Sequence, residues 1–173
     1  AVRNNEEIIA VFPGFKDELF GIAVDVGSTT IAAHLCDLST GEVSGSAGLM
    51  NPQIRFGEDL MSRVSYIMMN EGGEKDLTRV VREAINEIIT TIISENNIDA
   101  EDILEMTLVG NPIMHHLVLG IDPTELGAAP FALSTDLSAD IKAKELNLNI
   151  NSGAYVYVLP CVAGHVGADA AAV

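Results

Sequence analysis

The residues with most chemistry to offer lie between Asp25 and Thr30. An apolar run ends on Asp25-Val26-Gly27-Ser28-Thr29-Thr30, and a second apolar run begins there. A glycine inside so short a turn permits a tight bend and lets a ligand approach bare backbone. The turn's N–H groups and three hydroxyls are donors for phosphate oxygens, and the Asp25 carboxylate can hold a Mg2+ directly or through water. This is not a Walker P-loop: no Gly-Lys-Ser/Thr follows, and the chain returns to a strand instead of entering a helix. Asp25 also reads as a strand-end carboxylate capping the turn, although a charge that ends a buried run is costly unless it is used. Without Asp25 and Gly27 around them, Ser28, Thr29 and Thr30 would be ordinary turn residues.

Gly110-Asn111 closes another apolar run. Ligands sit at the carboxyl ends of strands in α/β folds, and a glycine there allows close approach, so this pair is a second candidate binding element. Asp169, in a Gly/Ala-rich segment, could orient a water or a Mg2+, or could merely face solvent. Asn51, Gln53 and Arg63 carry amide and guanidinium groups that could line a cleft, but Asp59 and Arg63 are also spaced as an ordinary i, i+4 helix pair. His115 and His116 are adjacent on a helix and point about 100° apart, which suits one metal ion poorly. One buried and one solvent-facing histidine is the plainer expectation. No serine sits in a Gly-x-Ser-x-Gly elbow, and zinc and calcium motifs are absent.

The elements that must position these residues follow from hydrophobic period. Strands are predicted at Leu19–Val26, Thr30–Asp37 and Val43–Met50. In the second, Ile31, Ala33 and Leu35 alternate with Ala32, His34 and Cys36, and the short turns make the three an antiparallel meander. Leu60, Met61, Val64, Ile67 and Met68 form one face of a helix that Asn70-Glu71-Gly72-Gly73 ends. A longer helix at Lys75–Asn96 carries the rows Val81/Ile85/Ile89/Ile93 and Val80/Ala84/Ile88/Ile92. A strand at Leu104–Val109, a short helix at Met114–Leu119 and a strand at Tyr155–Leu159 follow. Residues 121–153 read as an irregular excursion with a short helix near Asp140–Leu146, and Gly164–Val173 reads as a Gly/Ala-rich helix. Residues 1–18 are a linker or edge segment, and residues 19–173 one lobe. The expected class is α/β: a mixed five-stranded sheet with helices on both faces.

Composition narrows the function. Acidic residues outnumber basic ones 25 to 9, for a formal charge of -16, a surface that repels nucleic acid and anionic membrane. It repels a triphosphate too, so nucleotide binding would have to rest on Mg2+ and backbone donors. The acidity serves solubility, or alternatively a basic protein partner. No apolar stretch is long enough to span a bilayer, the first residues lack the order of a signal peptide, and Cys36 and Cys161 read as reduced core thiols. A cytoplasmic protein is expected.

The order of elements, with Asp-Val-Gly-Ser-Thr-Thr between strands one and two, resembles the first lobe of the actin/hexokinase/heat-shock-chaperone ATPase superfamily, whose core is ribonuclease-H-like. More specific stretches are Asn51-Pro52-Gln53, Gly57-Glu58-Asp59 with Ser62-Arg63, and Gly110-Asn111 with Met114-His115-His116. Leu126-Gly127, Ala129-Pro130-Phe131, Leu159-Pro160-Cys161 with Gly164, and Gly167-Ala168-Asp169 complete the set. In this order, over about Phe20 to Val173, they look like the reductive activators of corrinoid proteins. That resemblance implies ATP-assisted return of Co(II) corrinoid to Co(I), with Mg2+, and with a [2Fe–2S] cluster held outside this chain, which has no cluster cysteines. It implies Asp25 and Asp169 in catalytic positions, Asp25 at the metal, and Gly27, Ser28, Thr29, Thr30, Gly110 and Asn111 at the nucleotide. The partner would be a corrinoid protein or a corrinoid methyltransferase component, with a homodimer possible. The chain is then expected to be one half of a two-lobed ATP site, cut from a longer protein. Other lobes of the same fold stay open, in a kinase or a 2-hydroxyacyl-CoA dehydratase activator, as does a degenerate lobe used for docking.

Overall fold

The computed structural model describes residues 1–172. A small antiparallel hairpin, β1 (Val2–Arg3) and β2 (Glu7–Ile8), precedes the main sheet. Then β3 (Phe20–Val26), β4 (Thr30–Asp37) and β5 (Val43–Met50) form the meander. After helices α1 (Leu60–Met69) and α2 (Gly73–Asn96), strand β6 (Ile103–Gly110) returns parallel to β3. Helix α3 (Pro112–Leu119) follows, then β7 (Ala139–Lys142), β8 (Tyr155–Val158) and the short α4 (Ala168–Ala171). The sheet order is β5-β4-β3-β6-β8-β7, with β8 parallel to β6 and β7 antiparallel to β8. Its first five strands have the ribonuclease-H-like arrangement of an actin-type ATPase lobe.

Strand alternation decides where the core sits. Phe20, Ile22, Val24 and Val26 of β3, Ile31, Ala33 and Leu35 of β4, and Met106 and Leu108 of β6 all point to one buried face. Against it lies α2, whose Leu77, Val81, Ile85, Ile88, Ile89 and Ile92 are buried, flanked by α1 and α3. Each such side chain contributes roughly 1.5–3 kcal/mol by leaving water. The caps match the boundaries. Asp59 accepts from the Ser62 N–H at the start of α1, and Asn111 accepts from Ile113 and Met114 at the start of α3, with Pro112 in its first turn.

The sequence-based expectations need four corrections. The sheet has six strands, not five, because Ala139–Lys142 pairs with β8 as an edge strand. The helix expected near Asp140–Leu146 is therefore half strand and half a 3-10 turn, Ala143–Leu146. The helices cover the two faces unequally: α1, α2 and α3 share one, and the short α4 stands at the other, beside β6 and Asp25. This second face exposes Ala23, Asp25, His34, Ser46, Glu105 and Tyr157 among the described residues. Finally, the helix expected over Gly164–Val173 is confined to Ala168–Ala171, and its expected last residue, Val173, lies outside the described residues. Gly164 and Gly167 instead make close backbone approaches, to Phe131 and to Gly110-Asn111, that a Cβ would block. Among the described residues no helix is long and apolar enough to cross a membrane. Cys36 and Cys161 are free thiols. Cys161 is buried and Cys36 half-buried on the open face.

Candidate phosphate-binding site

The carboxyl ends of the parallel strands β3 and β6 lie side by side, with Val26 in register with Gly110. The turn Gly27–Thr30 leaves β3 at this point. A Cβ on Gly27 would stand 2.5 Å from the Thr30 carbonyl oxygen, so closeness and not an unusual φ requires glycine there. Gly110 is similarly crowded, its would-be Cβ lying 3.0 Å from the Val26 carbonyl.

The Gly27, Ser28 and Thr29 carbonyls are all held from beneath. Asn51 Nδ2 donates to Gly27 O at 2.9 Å, Arg63 Nη2 donates to Ser28 O at 2.6 Å, and the Asn51 backbone N–H donates to Thr29 O at 2.8 Å. The N–H groups of Gly27, Ser28 and Thr29, and the hydroxyls of Ser28, Thr29 and Thr30, have no acceptor among the described residues. Each carbonyl shares its peptide with the N–H of the next residue, so fixing the Gly27 and Ser28 carbonyls inward turns the Ser28 and Thr29 N–H groups outward. The turn is thus a run of unpaired donors facing solvent, the arrangement that binds anions.

Two carboxylates meet the edge of this turn. Asp25 sits on the open face at the end of β3, and Asp169 stands in the first turn of α4, its Oδ1 accepting from the Ala170 N–H at 2.9 Å. Gly167 brings α4 in: a Cβ there would lie 2.5 Å from Gly110 O and 2.6 Å from Asn111 Cα. The Asp25 side chain is open to water on one side yet partly desolvated. Desolvation pushes its carboxyl above the ordinary carboxylate value, and the Asp169 charge adds to that shift. Two carboxylates beside a bank of N–H donors suit a hard divalent cation such as Mg2+, with water and phosphate oxygens completing its shell. Among the described residues no group of three acidic, histidine or cysteine side chains converges as a self-sufficient metal site.

The fold therefore gathers Asp25, Gly27, Ser28, Thr29, Thr30, Gly110, Asn111 and Asp169 at one end of the sheet. Asn111 has a structural task there, since its Oδ1 caps α3. His115 and His116 are both buried, not one in and one out. His116 Nδ1 contacts the Pro112 carbonyl at 2.8 Å, and its Nε2 accepts from the Ser134 N–H at 3.1 Å. Among the described residues both ring nitrogens of His115 lack a partner. Burial pushes its pKa down to about 4, helped by His116, while the nearby Leu159 backbone opposes the shift without completing a hydrogen bond.

The family model of the RACo middle region matches residues 20–173. The chain belongs to the RACo middle-region family. Over 176 residues it is 34% identical to the corrinoid activation enzyme RamQ of Eubacterium limosum, covering 99% of this chain and 29% of that protein. A solved structure, the reductive activator for corrinoid, iron-sulfur protein, is similar with a TM-score of 0.87 and 34% identity. The match covers 90% of this chain and 25% of that one. The chain thus spans less than a third of each of these two proteins.

Within this middle-region lobe, three residues do something their spacing does not reveal. Asn51, Gln53 and Arg63 are fully buried, so they line no cleft. They form a polar plug under the turn. Gln53 Nε2 donates to Leu77 O at 2.9 Å, Asn51 Oδ1 accepts from the Gln53 N–H at 3.0 Å, and Arg63 Nη1 reaches Gln53 Oε1 at 3.3 Å. Asp59 and Arg63 are not an ion pair either. Asp59 caps its own helix, while Arg63 Nε donates to Gly57 O at 3.1 Å. The sequence signal for this was the cluster of amides beside Gly57, whose missing Cβ leaves room for Ser62 and Arg63.

Proposed function

We propose that this chain is the first nucleotide-binding lobe of an ATP-dependent reductive activator that returns Co(II) corrinoid proteins to Co(I). The observation that carries the reading is the turn Gly27–Thr30, with the Gly27, Ser28 and Thr29 carbonyls tied inward and, among the described residues, the N–H groups of Gly27, Ser28 and Thr29 and the three hydroxyls unpaired. Its family membership and its likeness to proteins named for corrinoid activation support the same conclusion.

In this reading Gly27, Ser28, Thr29 and Thr30 grip phosphate oxygens of ATP through preorganised donors that need no reorientation on binding. Asp25 and Asp169 orient Mg2+, or the water bound to it, while Gly110 and Gly167 keep the backbone close enough for both carboxylates to reach one ligand. Mg2+ supplies the charge that lets a triphosphate approach so acidic a protein. The electron would come from a [2Fe–2S] centre held outside this chain, and one electron suffices to convert Co(II) to Co(I). The lobe's task is to couple nucleotide-driven closure to docking of the corrinoid protein or a corrinoid methyltransferase component. A reducing cytoplasm suits the two free thiols. Self-association as a homodimer would bury Val2, Ile8, Val11 and Phe15, which the lead segment leaves exposed.

Calorimetric titration of the full-length protein with ATP, with and without Mg2+, tests the binding step. Binding that needs Mg2+ and is lost in Asp25→Asn is expected. Binding indifferent to both would remove the phosphate-turn reading.

A further inference from the structure

Arg63 is a fully buried charged side chain. Among the described residues no carboxylate stands within ion-pair distance of it. Its hydrogen-bond partners are neutral: the carbonyls of Gly57 and Ser28, the Gln53 amide and, at 3.8 Å, the Met114 sulfur. Taking a guanidinium out of water without a counter-ion is costly, and buried charges are ordinarily paired or used. The short bond to Ser28 O puts this charge directly behind the turn whose N–H donors face outward. Asp59 is the carboxylate whose charge reaches Arg63, but it forms no ion pair with it and is held by Ser62 at its own helix start; the mouth of the turn offers a place for an answering anion.

We propose that Arg63 is a phosphate-positioning residue: from beneath the turn it fixes the Ser28 peptide and furnishes the buried positive charge to which a bound nucleotide phosphate is the missing counter-ion. The proposal rests on the nucleotide-binding reading above and adds a residue that never touches the ligand. It sets one positive charge directly behind the turn of a chain whose formal charge is -16. Asp25 and Asp169 lie at the metal side of the turn, whereas Arg63 acts through the Ser28 peptide plane. Asn51 holds the peptides on either side but carries no charge, so it shares the orienting task and not the electrostatic one.

The test uses the full-length protein and two ligands, Mg-ATP and adenosine, which share the base and ribose but differ in phosphate. In Arg63→Gln, which removes the charge, Mg-ATP affinity is expected to fall at least about tenfold while adenosine affinity stays within about twofold. Arg63→Lys keeps the charge but loses the planar fork, and should fall in between. A purely structural role would weaken both ligands alike. Equal weakening, or no change for Mg-ATP in either variant, overturns the proposal. A wild-type protein that gains nothing from the triphosphate over adenosine overturns the nucleotide reading itself, and the Arg63 role with it. Should the variants fail to fold, hydrogen exchange on the unmutated protein decides. Mg-ATP should protect both the turn at Val26–Ile31 and the Gly57–Val64 segment that holds Arg63. Protection of the turn alone would refute the link.

Discussion

Replacing Gly27 with alanine separates two reasons why a glycine can be required. A Cβ at this position would meet the Thr30 carbonyl at 2.5 Å, 0.5 Å inside the 3.0 Å that real Cβ atoms essentially never cross. The obstacle is backbone at the start of β4, where Thr30 pairs with Met50, so it cannot swing aside as a side chain would. Relieving the clash means shifting the turn and stretching the Asn51–Gly27 hydrogen bond. Overpacking of this kind costs about 1–3 kcal/mol and a weakened buried hydrogen bond about 1 more, so Gly27→Ala should lose about 2–4 kcal/mol. For a domain of this size that lowers Tm by roughly 5–12 °C. Gly41 is the control: it has open space around it but φ +77, so Gly41→Ala should lose about 1 kcal/mol through backbone strain alone. Urea unfolding of both variants gives the comparison. A Gly27→Ala loss below about 0.5 kcal/mol, or one smaller than that of Gly41→Ala, would refute the steric account of the turn.

Three further outcomes are expected. His115 is neutral in the folded protein and protonates near 6.5 when unfolded, so the unfolded state binds the extra proton. Stability should therefore fall as pH drops from about 6.5 towards 4, by up to about 3 kcal/mol for this group. His115→Leu should flatten the profile in that window without loss at neutral pH, and thermal melts across pH would expose parallel profiles if this is wrong. Asp25 has a raised pKa, so its charge opposes folding once the pH exceeds that value. Asp25→Asn should be at least as stable as wild type at pH 7 while losing Mg-ATP binding, and a clear drop in Tm would contradict this. Asp169→Asn should lower the Asp25 pKa by removing a like charge, leaving the desolvation part in place, as a carbon-13 NMR titration would read; no movement would mean the two carboxylates do not meet.

Much of the fold was legible because local pattern and tertiary burial agree. Ile31, Ala33 and Leu35 alternate in the sequence and are all buried, and the isoleucine rows of α2 are the stripe that lies on the sheet. The lapses have physical causes. Ala139–Lys142 is too short to declare a period. Its strand state comes from pairing with Tyr155–Val158, beside surface contacts to the lead segment, Arg3 to Asp140 and Glu7 to Lys142. The small residues Ala23 and Ala32 sit on the open face without marking it as solvated, so that face was not legible. Gly164 and Gly167 looked like members of a Gly/Ala helix because nothing local says which backbone they must approach.

At the candidate site, the ligand-facing groups were readable and their supports were not. Asp25, Gly27 and the three hydroxyl residues announce themselves as a turn with donors and a carboxylate. Arg63, four residues after Asp59, wears the spacing of a routine surface pair. Only the fold, which buries it against Gly57, Gln53 and Ser28, reveals that the pair does not form.

A turn that couples nucleotide to cobalt reduction must reveal itself in the reduction rate. The most direct measurement is the rate at which the full-length protein, with its electron donor, reduces a Co(II) corrinoid protein with and without Mg-ATP, in wild type and in Asp25→Asn. Acceleration by Mg-ATP in the wild type and none in Asp25→Asn is the expected result. An equal effect of Mg-ATP in both proteins, or no effect in either, would contradict it.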